Sequence, residues 1–182
     1  MLDNKLNRRQ LMRFGGAGLG AAVLSACGTH KTPVVVDPIK PHTKPQPGRG
    51  GNQLLRIFAS SGFLDKSERV NTAVSRLNAC GFQVTNAEAA YRRYQRFAGA
   101  DFQRVQDLQD VATGRVATPK LLLGARGGYG AIRLLSQING DGLGGRMRYQ
   151  GPLLMGYSDV CAIQLALLAQ TGEPSFAGQM LC

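Results

Sequence analysis

The residues of this 182-residue chain best placed to do chemistry are Ser158 and Asp159. They follow an apolar run of strand length, Leu153-Leu154-Met155, and then Gly156 and Tyr157. Beyond them Ile163, Leu165, Ala166, Leu167 and Leu168 form a helical pattern. A strand, a tight turn and a helix in that order put the serine hydroxyl at the apex of the turn, clear of the sheet edge. The first N–H groups of the helix lack intrahelical partners and are free to stabilise an oxyanion beside it. The same two residues also have a purely structural use, because Ser and Asp are favoured helix N-caps. The octapeptide alone leaves both readings open.

A second stretch with chemical potential is Gly124-Ala125-Arg126-Gly127-Gly128-Tyr129-Gly130. Glycines let backbone N–H groups come close to an anion, and Arg126 adds a positive charge. The spacing is not that of the dinucleotide fingerprint, and no acid follows where a ribose would need one. A plain glycine-rich turn with a solvated Arg126 is the structural alternative.

Composition narrows the function classes. The net charge of +11 suggests a nucleic-acid partner, but part of it belongs to residues 1–27. Without them the balance is 18 Lys/Arg to 10 Asp/Glu, or +8, and those bases are scattered except for Arg92, Arg93 and Arg96. No RNA-binding aromatic motif, zinc-finger spacing or basic recognition helix accompanies them, so no nucleic-acid partner is expected. Cys27, Cys80, Cys161 and Cys182 are widely separated and form no metal or redox pair. Both histidines, His30 and His42, precede residue 54.

The elements that must position these residues begin after an address and a tether. Arg8-Arg9 leads into a Gly/Ala-rich, mildly apolar run, Phe14 to Leu24, too short for an ordinary membrane span. This resembles a twin-arginine export signal. The run ends Leu24-Ser25-Ala26-Cys27, which resembles a lipobox, with Cys27 as the lipidated residue; a conventional cleavage near Ala26 is the alternative. Residues 1–27 are thus expected to be a signal, placing the protein in the periplasm, anchored to the membrane through lipid. Residues 28–53, rich in Pro and then Gly, are expected to be an extended linker.

From Leu54 onward strands and helices alternate. Strands are expected at 54–59, 82–84, 121–123 and 153–156, and helices at 65–79, 101–113, 130–138 and from the Ser158 turn to Gln170. This pattern predicts an α/β fold, a mostly parallel sheet with helices on both faces. Ligands then bind at the carboxyl ends of the strands.

Four blocks, taken in order, resemble the LD-carboxypeptidases, serine peptidases that trim murein tetrapeptides. These are Ala59-Ser60-Ser61; Ala98-Gly99 with Asp101, Arg104 and Asp107-Leu108; Ala125-Arg126-Gly127-Gly128-Tyr129-Gly130-Ala131-Ile132-Arg133-Leu134-Leu135; and Gly156-Tyr157-Ser158-Asp159. The resemblance implies a Rossmann- or flavodoxin-like N-terminal nucleophile domain over residues 54–182. It implies Ser158 as nucleophile, with the backbone N–H groups of Asp159 and Gly128 as the oxyanion hole. Arg126 and Tyr129 would contact substrate, Arg126 through a peptide carboxylate. The substrate would be a murein stem peptide losing its terminal D-Ala, with no metal or other cofactor, and members of the family often pair as homodimers. A microcin-immunity-type peptidase is a close relative, and a non-catalytic peptide-binding lipoprotein is the reading outside enzymes.

The chain departs from the family pattern in several places. Ser60 replaces a proline. Gly140 to Gly145 with Arg146 and Arg148 reads as an insertion. Phe176-Ala177-Gly178-Gln179-Met180 stands where His-Gly-Pro-Met is usual. The Glu and His that complete the family's relay are expected beyond this stretch, so these 182 residues are expected to be the nucleophile half and inactive alone.

Overall fold

A computed structural model describes residues 53–182. The export signal, Cys27 and the Pro-rich linker lie outside the described residues. Five strands form one sheet: β1 (Gln53–Phe58), β2 (Phe82–Thr85), β3 (Leu121–Gly124), β4 (Leu153–Gly156) and β5 (Phe176–Ala177). All are parallel, in the order β2-β1-β3-β4-β5. Four α-helices cover the sheet: α1 (Ser67–Ala79), α2 (Asp101–Ala112), α3 (Gly140–Gln150) and α4 (Cys161–Thr171). This order is the doubly wound one, with its switch point between β1 and β3, where the chain leaves the sheet in opposite directions.

The three central strands β1, β3 and β4 are largely apolar on both sides, as a buried parallel sheet requires, while the edge strands β2 and β5 are more exposed. Phe58, Leu122 and Leu154 pack with α2, α3 and α4 residues such as Leu108, Leu143 and Ile163. Leu55, Ile57 and Leu123 pack on the other face with Val70 of α1, Ala89, Ala90 and Leu181. Full burial of each Leu, Ile or Phe contributes about 2–3 kcal/mol. The expected parallel sheet covered on both faces is therefore present, with three helices on one face and one on the other.

One expectation is corrected. The helix expected over 130–138 is a short 3-10 segment, Ile132–Gln137. Gly128 and Gly130 have φ of +122° and +120°, and the chain leaves the loop with the Ala131 N–H bonded to a distant side chain. That geometry gives way to a tight 3-10 turn and no full α-helix forms. The glycine-rich stretch after Asn139, read as an insertion, forms helix α3. Its glycines weaken it by about 1 kcal/mol each relative to Ala. One of them is needed for packing: a Cβ on Gly144 would stand 2.6 Å from the Thr171 side chain. Asn139 caps the helix, its Oδ1 accepting the Gly142 N–H at 2.8 Å. A further 3-10 turn, Ala87–Tyr91, follows β2 and was not expected.

Candidate active site

The carboxyl ends of β1, β3 and β4 bring three loops together. At the end of β4, Tyr157 is extended and Ser158 has φ +59°, a left-handed conformation that costs a non-glycine residue about 1–2 kcal/mol. The turn closes because Gly156 has no side chain: a Cβ there would lie 2.7 Å from Val160 Cγ1. Ser158 is exposed, while Val160 is buried beneath it and α4 follows directly. Such a strained serine between strand and helix presents its Oγ to solvent with helix N–H groups alongside.

Neither Ser158 nor Asp159 makes a side-chain cap to the helix. The Asp159 carboxylate turns away and accepts the Ala131 N–H at 2.9 Å. It thereby ties the serine turn to the end of the glycine-rich loop.

That loop lies directly against the serine. A Cβ on Gly127 would fall 2.9 Å from Ser158 Cβ and 3.0 Å from its Oγ, so only glycine leaves the serine room. The Gly127 carbonyl accepts the Gly62 N–H at 3.1 Å. Because a trans peptide points its C=O and N–H in opposite directions, this bond turns the Gly128 N–H away from Gly62. Arg126, exposed, donates from Nη1 to the Phe63 carbonyl, joining the β3 loop to the β1 loop. Tyr129 is exposed, with its ring centroid 6.4 Å from that of Phe97. The structure thus gathers Ser158, Asp159, Gly128, Arg126 and Tyr129 at one edge of the sheet.

An open cleft of about 530 Å³ beside Tyr157 is lined by Ala177, Gly178, Gln179, Met180 and Cys182. Met180 reaches back over the turn: Cβ atoms on Gly124 and Gly127 would each meet its side chain at 3.4 Å. Among the described residues no group of His, Cys, Asp or Glu side chains is arranged to hold a metal ion.

Sequence reasoning gave no role to two residues that the structure makes central. Arg104 is fully buried and donates to the Ser60 and Gly130 carbonyls. Asp107 accepts the Ala59 N–H at 3.0 Å, Asn86 Nδ2 at 2.8 Å and Arg92 Nη2 at 2.5 Å. The usable signal was two charges on the apolar face of an amphipathic helix, where charges persist only if partnered.

Residues 55–178 match the family model described as the LD-carboxypeptidase N-terminal domain. The chain belongs to the LD-carboxypeptidase family. It is 30% identical to the "Probable murein peptide carboxypeptidase" of Bacillus subtilis (strain 168) over 63% of its own length and 34% of that protein's. Its fold resembles the crystal structure of the muramoyltetrapeptide carboxypeptidase from Oxalobacter formigenes, with a TM-score of 0.59 and 32% identity over 69% of this chain and 40% of that one. MccF in complex with glutamyl sulfamoyl guanosine shares the fold, at a TM-score of 0.64 and 20% identity, over 71% of this chain and 38% of that one. This LD-carboxypeptidase-family chain spans between a third and two fifths of the length of these relatives.

Proposed function

We propose that this chain carries the nucleophile site of a serine-type LD-carboxypeptidase that removes the terminal D-Ala of a murein tetrapeptide. The observation that carries the reading is Ser158, exposed at φ +59° and in contact distance of Gly127 on the neighbouring strand-end loop. Ser158 Oγ attacks the scissile carbonyl carbon and its proton passes to a general base. The carbonyl oxygen becomes an oxyanion facing the N–H groups of Asp159 and Gly128. Collapse of the adduct breaks the C–N bond, the D-Ala nitrogen takes the proton, and water then hydrolyses the acyl-enzyme. Arg126 and Tyr129 hold the peptide, Arg126 through a carboxylate.

Residues 53–182 contain no histidine, and this reading assigns the general base to the Glu and His of the relay that the family resemblance implies. Export by the twin-arginine route, lipidation at Cys27, a periplasmic membrane-anchored location and homodimer formation belong to the same proposal. Greater identity to the muramoyltetrapeptide carboxypeptidase than to MccF favours a murein peptide as substrate.

The test uses the protein as its host makes it, extracted from membranes and weighed intact. Release of D-Ala from murein tetrapeptide is followed by mass spectrometry, with Ser158→Ala alongside. Turnover by the parent and none by Ser158→Ala supports the reading. Turnover at the parent rate by Ser158→Ala overturns it. Binding of the tetrapeptide by the parent with no release moves the protein to the peptide-binding class.

A further inference from the structure

One peptide unit at the end of the glycine-rich loop is held from both sides. The Gly130 carbonyl accepts Arg104 Nη1 at 3.3 Å. Across the same peptide, the Ala131 N–H donates to Asp159 Oδ2 at 2.9 Å. A peptide is planar, and its C=O and N–H point in opposite directions, so two bonds at its two ends fix its orientation.

Each partner is itself anchored. Arg104 has no exposed surface, and its guanidinium carbon lies 4.5 Å from the centroid of the Phe97 ring. It also donates to the Ser60 carbonyl beyond β1, and from Nη2 to Asp101 Oδ1 at 2.5 Å. Its Nε is buried without a partner, a costly arrangement that the fold keeps. Gly130 makes the close approach possible: at φ +120°, a Cβ would stand 2.7 Å from Phe97 Cε1 and 2.9 Å from Arg104 Nη1. On the other side, Asp159 follows Ser158 directly, and its carboxylate bonds the loop where it would otherwise cap the helix. Ala131 is fully buried, and its bond to the half-buried Asp159 carboxylate is part-buried.

We propose that Arg104 and the Asp159 carboxylate act through the Gly130–Ala131 peptide as a strut that sets the spacing between the two oxyanion donors. The proposal rests on the reading of Ser158 as nucleophile. One donor, the Gly128 N–H, lies two residues before the clamped peptide. The other is the backbone N–H of Asp159, the residue whose side chain does the clamping. The two loops therefore cannot shift relative to each other without breaking the strut. Oxyanion stabilisation depends on donors already standing where charge develops, and a displacement of about 1 Å costs on the order of a hundredfold in rate. Both are positioning residues, and their loss falls on kcat more than on KM.

The test compares Asp159→Ala, Asp159→Asn and Ser158→Ala in the native protein, measuring kcat, KM and affinity for a peptide boronic acid that mimics the tetrahedral adduct. Asp159 carries the test because its side chain is only half-buried, whereas Arg104 is fully enclosed. Asp159→Ala is expected to lower kcat and boronate affinity by about tenfold to a hundredfold, with KM within about twofold. Asp159→Asn keeps a side-chain carbonyl for the Ala131 N–H and is expected to recover most of that loss. A parent-like kcat for Asp159→Ala, a loss confined to KM, or an Asn variant no better than Ala overturns the strut while an inactive Ser158→Ala leaves the nucleophile reading standing. An active Ser158→Ala overturns the nucleophile reading and the strut with it. Arg104→Lys at the parent kcat removes Arg104 from the proposal.

Discussion

At the carboxyl end of β1, Asp107 rises from α2 to accept the Ala59 N–H, Asn86 and Arg92, and Arg56 beside it donates to the Asp107 carbonyl at 3.0 Å and pairs with Asp110 at 3.3 Å. At the carboxyl end of β4, two strands away in the same sheet, Ser158 stands exposed with a left-handed backbone. The first region satisfies its polar groups with one another and leaves little for a ligand. The second holds its backbone by close packing, Gly156 on Val160 and Gly127 on Ser158, and leaves a hydroxyl free. The contrast separates scaffold from site: a buried, saturated network gives rigidity, and the strain it supports is placed where a reactive group has to project.

The strongest way to break that contrast is to remove the scaffold's centre. Asp107→Ala leaves the Ala59 N–H, Asn86 and Arg92 without their acceptor, in a pair whose carboxylate side chain is 3% exposed. The expected loss is about 3 kcal/mol, read by urea unfolding, with activity falling only as the folded fraction does. Next is Gly127→Ala, whose methyl group would intrude on Ser158. It is expected to lower kcat by about a hundredfold through displacement of the proposed nucleophile, with a melting temperature close to the parent's. The reverse pattern, normal turnover with lost stability, would place Gly127 in the scaffold.

A smaller effect of opposite sign tests the strain directly. Ser158→Gly removes the proposed nucleophile but suits φ +59° better. It is expected to raise stability by up to about 1 kcal/mol, the relief of left-handed strain less the greater chain entropy of glycine. A destabilised Ser158→Gly would mean that the serine side chain contributes to the fold.

The smallest effect concerns pH. Burial pushes the Asp107 carboxyl above its ordinary value of 3.8, outweighing the opposing pull of Arg92, Asn86 and the Ala59 N–H. The folded state then holds that proton more tightly than the unfolded chain. This group's contribution is therefore greatest at low pH and declines as pH rises from 3.8 through the raised folded value. The stability of the parent relative to Asp107→Asn is expected to fall over that window, measured by unfolding at a series of acidic pH values. A rise over the same window would show that Arg92 dominates.

Much of the scaffold is legible in the sequence because its signals are local. Apolar strand runs and helical spacing gave β1 to β4, α1, α2 and α4 to within a few residues, and a parallel α/β arrangement follows from their alternation. Helix α3 was not legible for the opposite reason. The local preference of its glycines is against helix, while Gly144 lets α3 approach Thr171 on a neighbouring element. The 3-10 turn after Gly130 was missed on similar grounds, since its geometry depends on an acceptor 28 residues away.

The order of the motifs and the presence of a serine at a strand-to-helix turn were determined by the sequence alone. That order also carries the family resemblance. Only the tertiary structure decided that Ser158 lies against Gly127, that Asp159 bonds Ala131 and does not cap its helix, and that Arg104 clamps the same peptide from the far side. The physical reason is range. Periodicity and turn chemistry act over a few residues, whereas these contacts form between loops that meet only after β1, β3 and β4 have aligned in one sheet.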